Sequence, residues 1–313
     1  MPKVSIGMPV YNGERFIRDA IDSILSQTFE DFELIISDNA STDRTEEICR
    51  ESAAKDKRIQ YYRNEKNLGA AKNYNRVFEL STGKYFKWAA HDDMCAPTYL
   101  ERCIEVLDQN ASVLLCYPKT VIIDEHGNHI ENYFDNLHLN YPKPHERFKH
   151  FHICYHYPRR CNPLLGLIRA SVLKKTPLIQ NYVASDMILL GELALLGEFC
   201  EISEYLFFRR DHRQTSVHAN PTYYERTLWF DPQKKGKIFL PSCRWFCEYI
   251  ISICRVQLSL HDRIMCLLEM VKWVRWYRRR MKEDLKTATV QFLDCSRFGR
   301  IVLKTWRLIV RRA

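Results

Sequence analysis

The chain has 313 residues, of which 46% are hydrophobic and 27% are charged. This composition is typical of globular proteins and excludes a disordered, collagen-like or coiled-coil chain. The formal net charge of +9 is unevenly distributed: residues 230–313 contain 19 Lys and Arg against 7 Asp and Glu, or +12, which leaves 28 against 31, or −3, for residues 1–229. Nucleic acid is therefore not an expected partner.

The twelve cysteines form no Cys-x-x-Cys pair. The first ten residues run directly into a strand pattern and lack the basic and apolar regions of a secretory signal. We therefore predict free thiols and a cytoplasmic location. No apolar run approaches the roughly 20 residues that a transmembrane helix needs. The best candidate, 245–258, is interrupted by Glu248 and Arg255.

The first 117 residues alternate between two hydrophobic periods, which predicts alternating strands and helices. Strands are predicted at 4–10, 32–37, 59–63, 84–89 and 113–117, and helices at 16–25, 44–54, 70–80 and 97–107. Helical crossovers imply a parallel sheet with helices on both faces. Such sheets bind ligands beyond the carboxyl ends of their strands.

Polar clusters follow the first four predicted strands, at 9–12, 38–43, 67–69 and 91–93. In the last cluster, Asp92 and Asp93 would repel each other in a desolvated site, so they imply a bound cation or full solvation. Because no Cys or His set has ligand spacing, the cation would be Mg²⁺ or Mn²⁺, completed by water and phosphate oxygens. A solvated acidic loop remains the alternative.

The second part of the chain has a less regular pattern. Residues 124–128 predict a hairpin, and 133–161 predicts a long loop rich in His, Tyr, Pro and Asn. Asp43 and Glu46 have the spacing of a capping box for the second helix. Further strands are predicted at 164–168 and 205–209, with a helix at 184–196 between them, and the chain is helical from residue 222.

Four segments together resemble glycosyltransferase family 2: residues 4–12, 35–45, 67–73 and 91–97. The resemblance is firm over residues 1–115 and looser over 160–216. It implies a GT-A fold, in which a mostly parallel nucleotide-binding sheet is flanked by helices, and an inverting enzyme that uses a nucleoside-diphosphate sugar. UDP is the expected nucleotide, with dTDP and GDP open. P-loop, dinucleotide-binding and nucleophile-elbow motifs are absent from the sequence.

The resemblance also implies roles for individual residues. Asp93 would bind the metal directly, and Asp92 would hold the ribose or a metal-bound water. Asp186, at the head of the 184–196 helix, would be the catalytic base. The remaining predicted donor-binding residues are Pro9, Tyr11, Asn12, Asp38, Lys72, Asn73, Arg210 and His212.

Some of these positions have specific implied contacts. Pro9 and Tyr11 would flank the nucleobase and Asp38 would contact the base or ribose, whereas Arg210 and His212 would close over the diphosphate. The sequence departs from the family pattern at Asn39 and Ala90, where an acid is often present. The second departure leaves the detailed set of metal ligands open.

We predict a GT-A domain over 1–221, with a nucleotide-binding half, 1–115, and an acceptor-binding half, 116–221. A basic, Trp-rich helical region, 222–313, follows. Its approximate apolar stripe comprises Met265, Leu268, Val271, Val274 and Met281, near Trp273, Trp276, Tyr277 and several Arg residues. This pattern fits a helix on the anionic inner face of the plasma membrane, and equally a helix that packs on its own domain.

Two other functions remain open from the sequence. A sugar nucleotidyltransferase also uses a nucleotide-binding sheet and Mg²⁺, although residues 11–15 match its usual Gly-rich loop poorly. A non-catalytic nucleotide-sugar-binding protein, docked through the basic region, is favoured only by Ala90. The leading prediction is a metal-dependent inverting glycosyltransferase that acts on a glycan or lipid-linked acceptor in cell-surface polysaccharide synthesis.

Overall fold

The computed structural model describes residues 1–154, 160–237 and 239–295. The chain forms two compact units, Met1–Gln233 and Lys234–Ala313, the second described as far as Cys295. Within the described residues, the first unit contains a nine-stranded sheet with surrounding helices. The described part of the second unit contains two helices, Pro241–Arg255 and Leu260–Cys295.

The strands, in chain order, are β1 (Val4–Val10), β2 (Phe32–Asp38), β3 (Ile59–Arg63), β4 (Tyr85–Trp88), β5 (Met94–Cys95), β6 (Val113–Ile123), β7 (His129–Tyr133), β8 (Leu167–Arg169) and β9 (Glu198–Arg210). The helices are α1 (Ile17–Leu25), α2 (Thr45–Lys55), α3 (Ala70–Glu79), α4 (Tyr99–Gln109), α5 (Pro144–Cys154), α6 (Ala170–Leu173), α7 (Ser185–Leu196), α8 (Ser216–Ala219), α9 (Tyr223–Phe230), α10 (Pro241–Arg255) and α11 (Leu260–Cys295).

The strand order of the sheet is β3-β2-β1-β4-β8-β6-β9-β5, and β7 pairs with β6. Strands β1 to β4 pair in parallel, as the helical crossovers between them require. Strand β8 is antiparallel to both β4 and β6 and so joins the two parts of the sheet. Every residue of β1 and β2 is buried, because helices cover both faces. The predicted α/β architecture is confirmed.

Strand β6 continues well beyond the predicted 113–117. Its pairing with β9 shifts register around Pro118 and Lys119. Proline lacks a backbone N–H and is accommodated in sheets at such irregularities, which also interrupt the apolar run that the prediction relied on. The predicted hairpin after β6 is confirmed, because β6 and β7 pair and the Asp124 N–H donates to the Asn128 carbonyl at 2.9 Å.

The prediction of a long loop over 133–161 was wrong, because the segment contains helix α5. Phe148 and Phe151 form its buried face. Arg147 donates from Nε to the Ala194 carbonyl at 2.8 Å, close to the end of α7. An Arg at this point satisfies carbonyls that the last helical turn leaves unpaired. The His and Pro content of the segment concealed this short apolar face, and residues 155–159 lie outside the described residues.

The predicted capping box at the start of α2 was also wrong. Asp43 Oδ1 accepts hydrogen bonds from the Thr45 N–H at 3.1 Å and the Thr45 hydroxyl at 2.6 Å. Glu46 instead accepts from Arg50 Nε at 2.8 Å, one turn further along the helix. The Arg50 guanidinium therefore binds the Glu46 carboxylate. In a capping box, that carboxylate would instead accept a hydrogen bond from the backbone at the start of the helix.

Aromatic side chains join the two helices of the second unit. The Trp273 and Tyr277 rings of α11 stack with centroids 4.1 Å apart, and Trp245 of α10 meets Tyr277 at 6.3 Å. The Ser242 N–H also donates to Asp284 Oδ2 at 2.7 Å. Trp273 and Tyr277 therefore belong to the core of the helix pair. No helix among residues 1–154, 160–237 and 239–295 has both the length and the apolarity needed to cross a membrane.

A buried acid supports the junction of β6, β7 and the turn Asn162–Leu165. Asp135 is 2% exposed, and its Oδ2 accepts a hydrogen bond from Asn162 Nδ2 at 3.1 Å. Its Oδ1 is buried with no hydrogen-bond partner among the described residues. Burial raises the pKa of Asp135 to about 7, assisted by the charge of Glu201 and opposed by Asn162, Arg209 and Thr120.

We predict that Asp135→Asn changes the pH dependence of stability. With a raised folded-state pKa, the native protein binds the proton more tightly than the unfolded chain between about pH 4 and pH 7, so the wild type loses stability as pH rises through that window. The asparagine variant lacks this loss. Between pH 5 and pH 7 its free energy of unfolding should gain about 2 kcal/mol relative to wild type in urea titrations. Parallel pH profiles would contradict the prediction.

Candidate functional site

The ends of β1 and β4 open into a cleft of about 470 Å³ whose lining includes Pro9, Tyr11 and Asn12. Asn12 has left-handed backbone angles, with φ of 52°. Its Oδ1 accepts from the Thr42 N–H and its own N–H donates to the Ser41 hydroxyl, both at 2.9 Å. These bonds fix the turn on the neighbouring loop. Tyr11 stays 43% exposed and presents an aromatic ring to the cleft.

The structure does not bring Asp38 and Lys72 to the cleft wall. Asp38 is fully buried and accepts hydrogen bonds from the Tyr61 hydroxyl at 2.7 Å and Arg63 Nη1 at 2.8 Å. It also accepts from the Ser41 N–H at 2.8 Å, so it shapes the loop that holds Asn12. Lys72 is exposed. Neither belongs to the described residues that line the cleft.

A network of amide side chains lies beneath this part of the cleft. Asn73 Oδ1 accepts from the Ser37 hydroxyl at 2.7 Å and from Asn64 Nδ2 at 3.0 Å. Asn39 Nδ2 donates to Asn67 Oδ1 at 2.9 Å. Asn39, Asn67 and Asn73 all line the cleft. Sequence reasoning identified Asn73 but treated Asn39 only as a lost acid, whereas it is part of a neutral polar floor.

The end of β9 and the residues just after it hold Asp92 and Asp93 at the far end of the cleft. The Arg210 N–H donates to Asp93 Oδ1 at 2.9 Å, and Arg210 Nε donates to the Asp92 carbonyl at 3.0 Å. His212 Nε2 lies 2.9 Å from Asp92 Oδ2. Strand β5, immediately after Asp93, pairs with β9 and fixes this alignment. Asp92, Asp93, Arg210 and His212 therefore lie together at this end of the cleft.

The two carboxyl groups differ in their electrostatic environment. Burial disfavours the charged form of Asp92, but His91, His212 and Arg209 outweigh it and lower its pKa. Burial, followed by the negative charge of Asp92, raises the pKa of Asp93, with Arg209 as the largest opposing influence. Ionising Asp93 therefore costs free energy unless positive charge is supplied close by.

These residues fit a divalent cation. A hard cation between the two carboxylates would offset their repulsion and favour the charged form of Asp93. Across the described part of the chain, no group of three or more His, Cys, Asp or Glu residues is arranged to hold a metal. The other ligands would thus be water and phosphate oxygens, which is the arrangement typical of Mg²⁺.

The neighbouring arginines 209 and 210 do different work. The Arg210 side chain is 2% exposed, and besides the Asp92 carbonyl it contacts the Glu125 carbonyl at 2.9 Å and Asp19 Oδ2 at 3.1 Å. It lines the cleft mainly as a brace. Arg209 donates from Nη1 to Asn162 Oδ1 at 2.5 Å and lines the cleft beside both acids. Sequence reasoning missed Arg209, because the family resemblance pointed to Arg210 and His212.

A second cavity of about 220 Å³ contains Asp186 and shares Tyr74, Leu165, Arg209 and Trp229 with the cleft. Asp186 lies in the first turn of α7. It follows Ala184, whose backbone is left-handed, and Ser185. Its Oδ1 accepts from the Met187 N–H at 3.0 Å. The two cavities are therefore contiguous, with the predicted base in one and the tandem acids in the other.

Two residues of α3 contribute to this region. Asn75 exchanges hydrogen bonds with the Ile179 backbone at 2.9 and 3.0 Å, which anchors the loop that leads to α7. Burial, followed by the negative charges of Asp92, Asp93 and Asp186, raises the pKa of Tyr74 far above its usual value. Tyr74 therefore stays neutral among the three acids. Its place next to Asn73 is the one sequence feature that could have pointed to it.

The sheet and its cleft define a protein class, a GT-A fold with a tandem carboxylate beyond the end of a parallel strand. The sequence profile of glycosyl transferase family 2 matches residues 5–164, which are 160 of the 313 residues. The chain belongs to glycosyl transferase family 2. An uncharacterised glycosyltransferase of Methanocaldococcus jannaschii is 35% identical over 134 residues, 42% of this chain and 46% of that protein. The chain spans less than half the length of its first curated relatives.

Solved structures share the fold at low sequence identity. TarS 1–349 of S. aureus, in complex with UDP-GlcNAc, has a TM-score of 0.63 and 16% identity, over 92% of this chain and 81% of that one. The mannosyltransferase PcManGT from Pyrobaculum calidifontis, in complex with GDP-Man and Mn²⁺, has a TM-score of 0.50 and 14% identity, over 93% and 86%. At these identities the similarity shows a shared fold.

We predict that Arg210→Ala destabilises the first unit by roughly 2–4 kcal/mol, because three acceptors lose a buried donor. Asp19→Asn should cost under about 1 kcal/mol, because the Asp19 side chain is 56% exposed. Urea unfolding of the full chain measures both changes. Equal effects of the two variants would show that Arg210 does not brace the cleft.

Proposed function

We propose that the protein is a metal-dependent inverting glycosyltransferase. It would transfer a sugar from a nucleoside-diphosphate donor, with UDP as the nucleotide, to a hydroxyl of a glycan or lipid-linked acceptor in cell-surface polysaccharide synthesis. The observation that carries this proposal is the contiguity of the two cavities. The tandem acids Asp92 and Asp93 lie in one cavity and Asp186 in the other, with Tyr74 and Arg209 between them.

The nucleoside would bind at the β1 end of the cleft. Tyr11 offers an exposed ring for stacking. The Asn39, Asn67 and Asn73 amides, whose oxygens already accept hydrogen bonds within the protein, provide a neutral polar floor beneath the nucleoside. Pro9 and Asn12 complete this wall. Asp38 would act through the loop that it holds in place, and the exposed Lys72 is left without a role in this arrangement.

The diphosphate would extend toward the tandem acids. Asp93 and Asp92 would hold Mg²⁺ or Mn²⁺, which when bound would neutralise charge on the leaving diphosphate. Arg209 would add positive charge on the side that faces the second cavity. His212 would orient Asp92 through its 2.9 Å contact, and Arg210 would keep both acids in register with β9. The shared fold with TarS and PcManGT, which bind UDP-GlcNAc and GDP-Man, supports this donor class.

The transfer itself needs a base opposite the leaving group. Asp186 would accept the proton of the acceptor hydroxyl while that oxygen bonds to the anomeric carbon. At the same time the bond from that carbon to the diphosphate oxygen breaks, and the electron pair leaves with the diphosphate. A single displacement of this kind inverts the anomeric configuration. General base catalysis typically contributes 10²- to 10⁴-fold to the rate.

We predict different losses for the two kinds of acid. Asp186→Asn should lower sugar transfer by roughly 10²-fold or more and leave UDP binding with Mn²⁺ unchanged by calorimetry. Asp93→Asn should lose both transfer and the Mn²⁺-dependent part of UDP binding. Hydrolysis of a panel of UDP-, dTDP- and GDP-sugars provides the activity readout without a known acceptor.

The exposed Asp22 of α1 supplies the matched control for these variants, since Asp22→Asn removes a carboxylate that is not among the lining residues of either cavity. It should behave as wild type. Undiminished turnover in both Asp93→Asn and Asp186→Asn would remove the proposed mechanism. Binding without turnover by the wild type toward every donor would favour a nucleotide-sugar-binding protein.

Arg209→Gln should reduce turnover by roughly 10²-fold, because a positive charge beside the leaving group is lost. The exposed Arg213, four positions further along and outside both cavities, provides the control, and Arg213→Gln should be silent. Circular dichroism establishes that both variants are folded. If Arg209→Gln matches Arg213→Gln in turnover, Arg209 has no part in the reaction.

A further inference from the structure

Helix α11 carries an aliphatic face that remains open to solvent. Its members are Leu260 (75% exposed), Ile264 (48%), Leu267 (38%), Leu268 (51%) and Val271 (67%). At 3.6 residues per turn these positions fall within an arc of about 100°. Large exposed aliphatic side chains rarely cluster on one helical face of a protein surface. These five therefore indicate a binding function.

The opposite face of α11 already supplies the contact with α10. Cys266, Met270, Trp273 and Tyr277 are all buried, between 0% and 6% exposed. They project on the other side of the helix from Leu260 and Val271. The helix pair therefore forms its core without the aliphatic face.

The same helical face becomes basic in its next turns. Arg275, Arg278, Arg279 and Lys282 are exposed and continue the line of the aliphatic residues. The acidic residues of this stretch, Asp262, Glu269, Glu283 and Asp284, fall outside the arc. Within residues 260–286 the face thus combines an apolar end with a basic end and has no carboxylate.

We propose that this face, Leu260–Lys282, docks on the surface of an anionic phospholipid membrane. The aliphatic end would enter the boundary between headgroups and acyl chains, and the basic end would bind lipid phosphates, as in interfacial amphipathic helices. A second copy of the chain fits less well, because a parallel two-fold contact over this face would bring the basic ends together, and an antiparallel one would place each basic end on an aliphatic end. The proposal stands independently of sugar transfer.

In this proposal the two sequence-based alternatives, membrane contact and packing within the protein, use different faces of α11. The sequence pattern offered Trp273, Trp276 and Tyr277 as interfacial aromatics. Trp273 and Tyr277 are used in the contact with α10, whereas Trp276 is 52% exposed. The aliphatic residues and the arginines take over the interfacial part. Because much of the attraction would be electrostatic, binding should weaken as salt screens the basic end.

The test is co-sedimentation of the full chain with vesicles of phosphatidylcholine alone or with 30% phosphatidylglycerol. The wild type should sediment with the anionic vesicles only, and less so at high salt. The double variant Leu267→Asn with Val271→Asn, and the double variant Arg278→Glu with Arg279→Glu, should each bind at least tenfold more weakly.

Matched controls separate this face from general surface effects. Ile130→Asn replaces a 53% exposed apolar residue on β7, and Lys55→Glu reverses an exposed charge at the end of α2. Both should bind vesicles as wild type, with unchanged circular dichroism. Three results would overturn the proposal: no vesicle binding by the wild type, equal binding by the α11 variants, or self-association of the wild type that those variants abolish without vesicles.

Discussion

The clamp between the end of β9 and the tandem acids is the interaction on which the rest of the site depends. Two adjacent carboxylates in a buried cleft repel each other, and in this fold each carboxylate has a different stabilising contact. His212 faces Asp92, and a backbone N–H of β9 faces Asp93. These contacts join residues more than a hundred positions apart, so the cleft depends on the antiparallel pairing of β5 with β9.

Much of the fold was predictable because its first part is locally encoded. The apolar runs of β1 and β2 and the helical spacing of α1 and α3 depend on neighbours in the sequence, and so does the rule that ligands bind beyond the strand ends. Elements with mixed composition were harder. Helix α5 has only Phe148 and Phe151 as its fully buried apolar residues, and β6 extends through Pro118 by virtue of its partner β9.

The candidate site was predictable as a set of residues and less so as a set of orientations. Asp92, Asp93, His212 and Asp186 reach the two cavities, but residue type alone does not reveal which way a side chain points. Asp38 turns inward to Tyr61 and Arg63, and Arg209 rather than Arg210 presents its charge between the cavities. Such choices depend on long-range hydrogen bonds that no spacing rule contains.

The amide network under the cleft gives its two ends unequal chemistry. Asn39, Asn67 and Asn73 carry no titratable group, so their hydrogen bonds persist at any pH that the fold tolerates. The opposite end is made of carboxylates whose charge depends on protons and cations. A ligand that spans the cleft thus has one permanent anchor and one conditional anchor. Acidification or cation removal would therefore weaken the hold on such a ligand at its carboxylate end and leave the amide end unchanged.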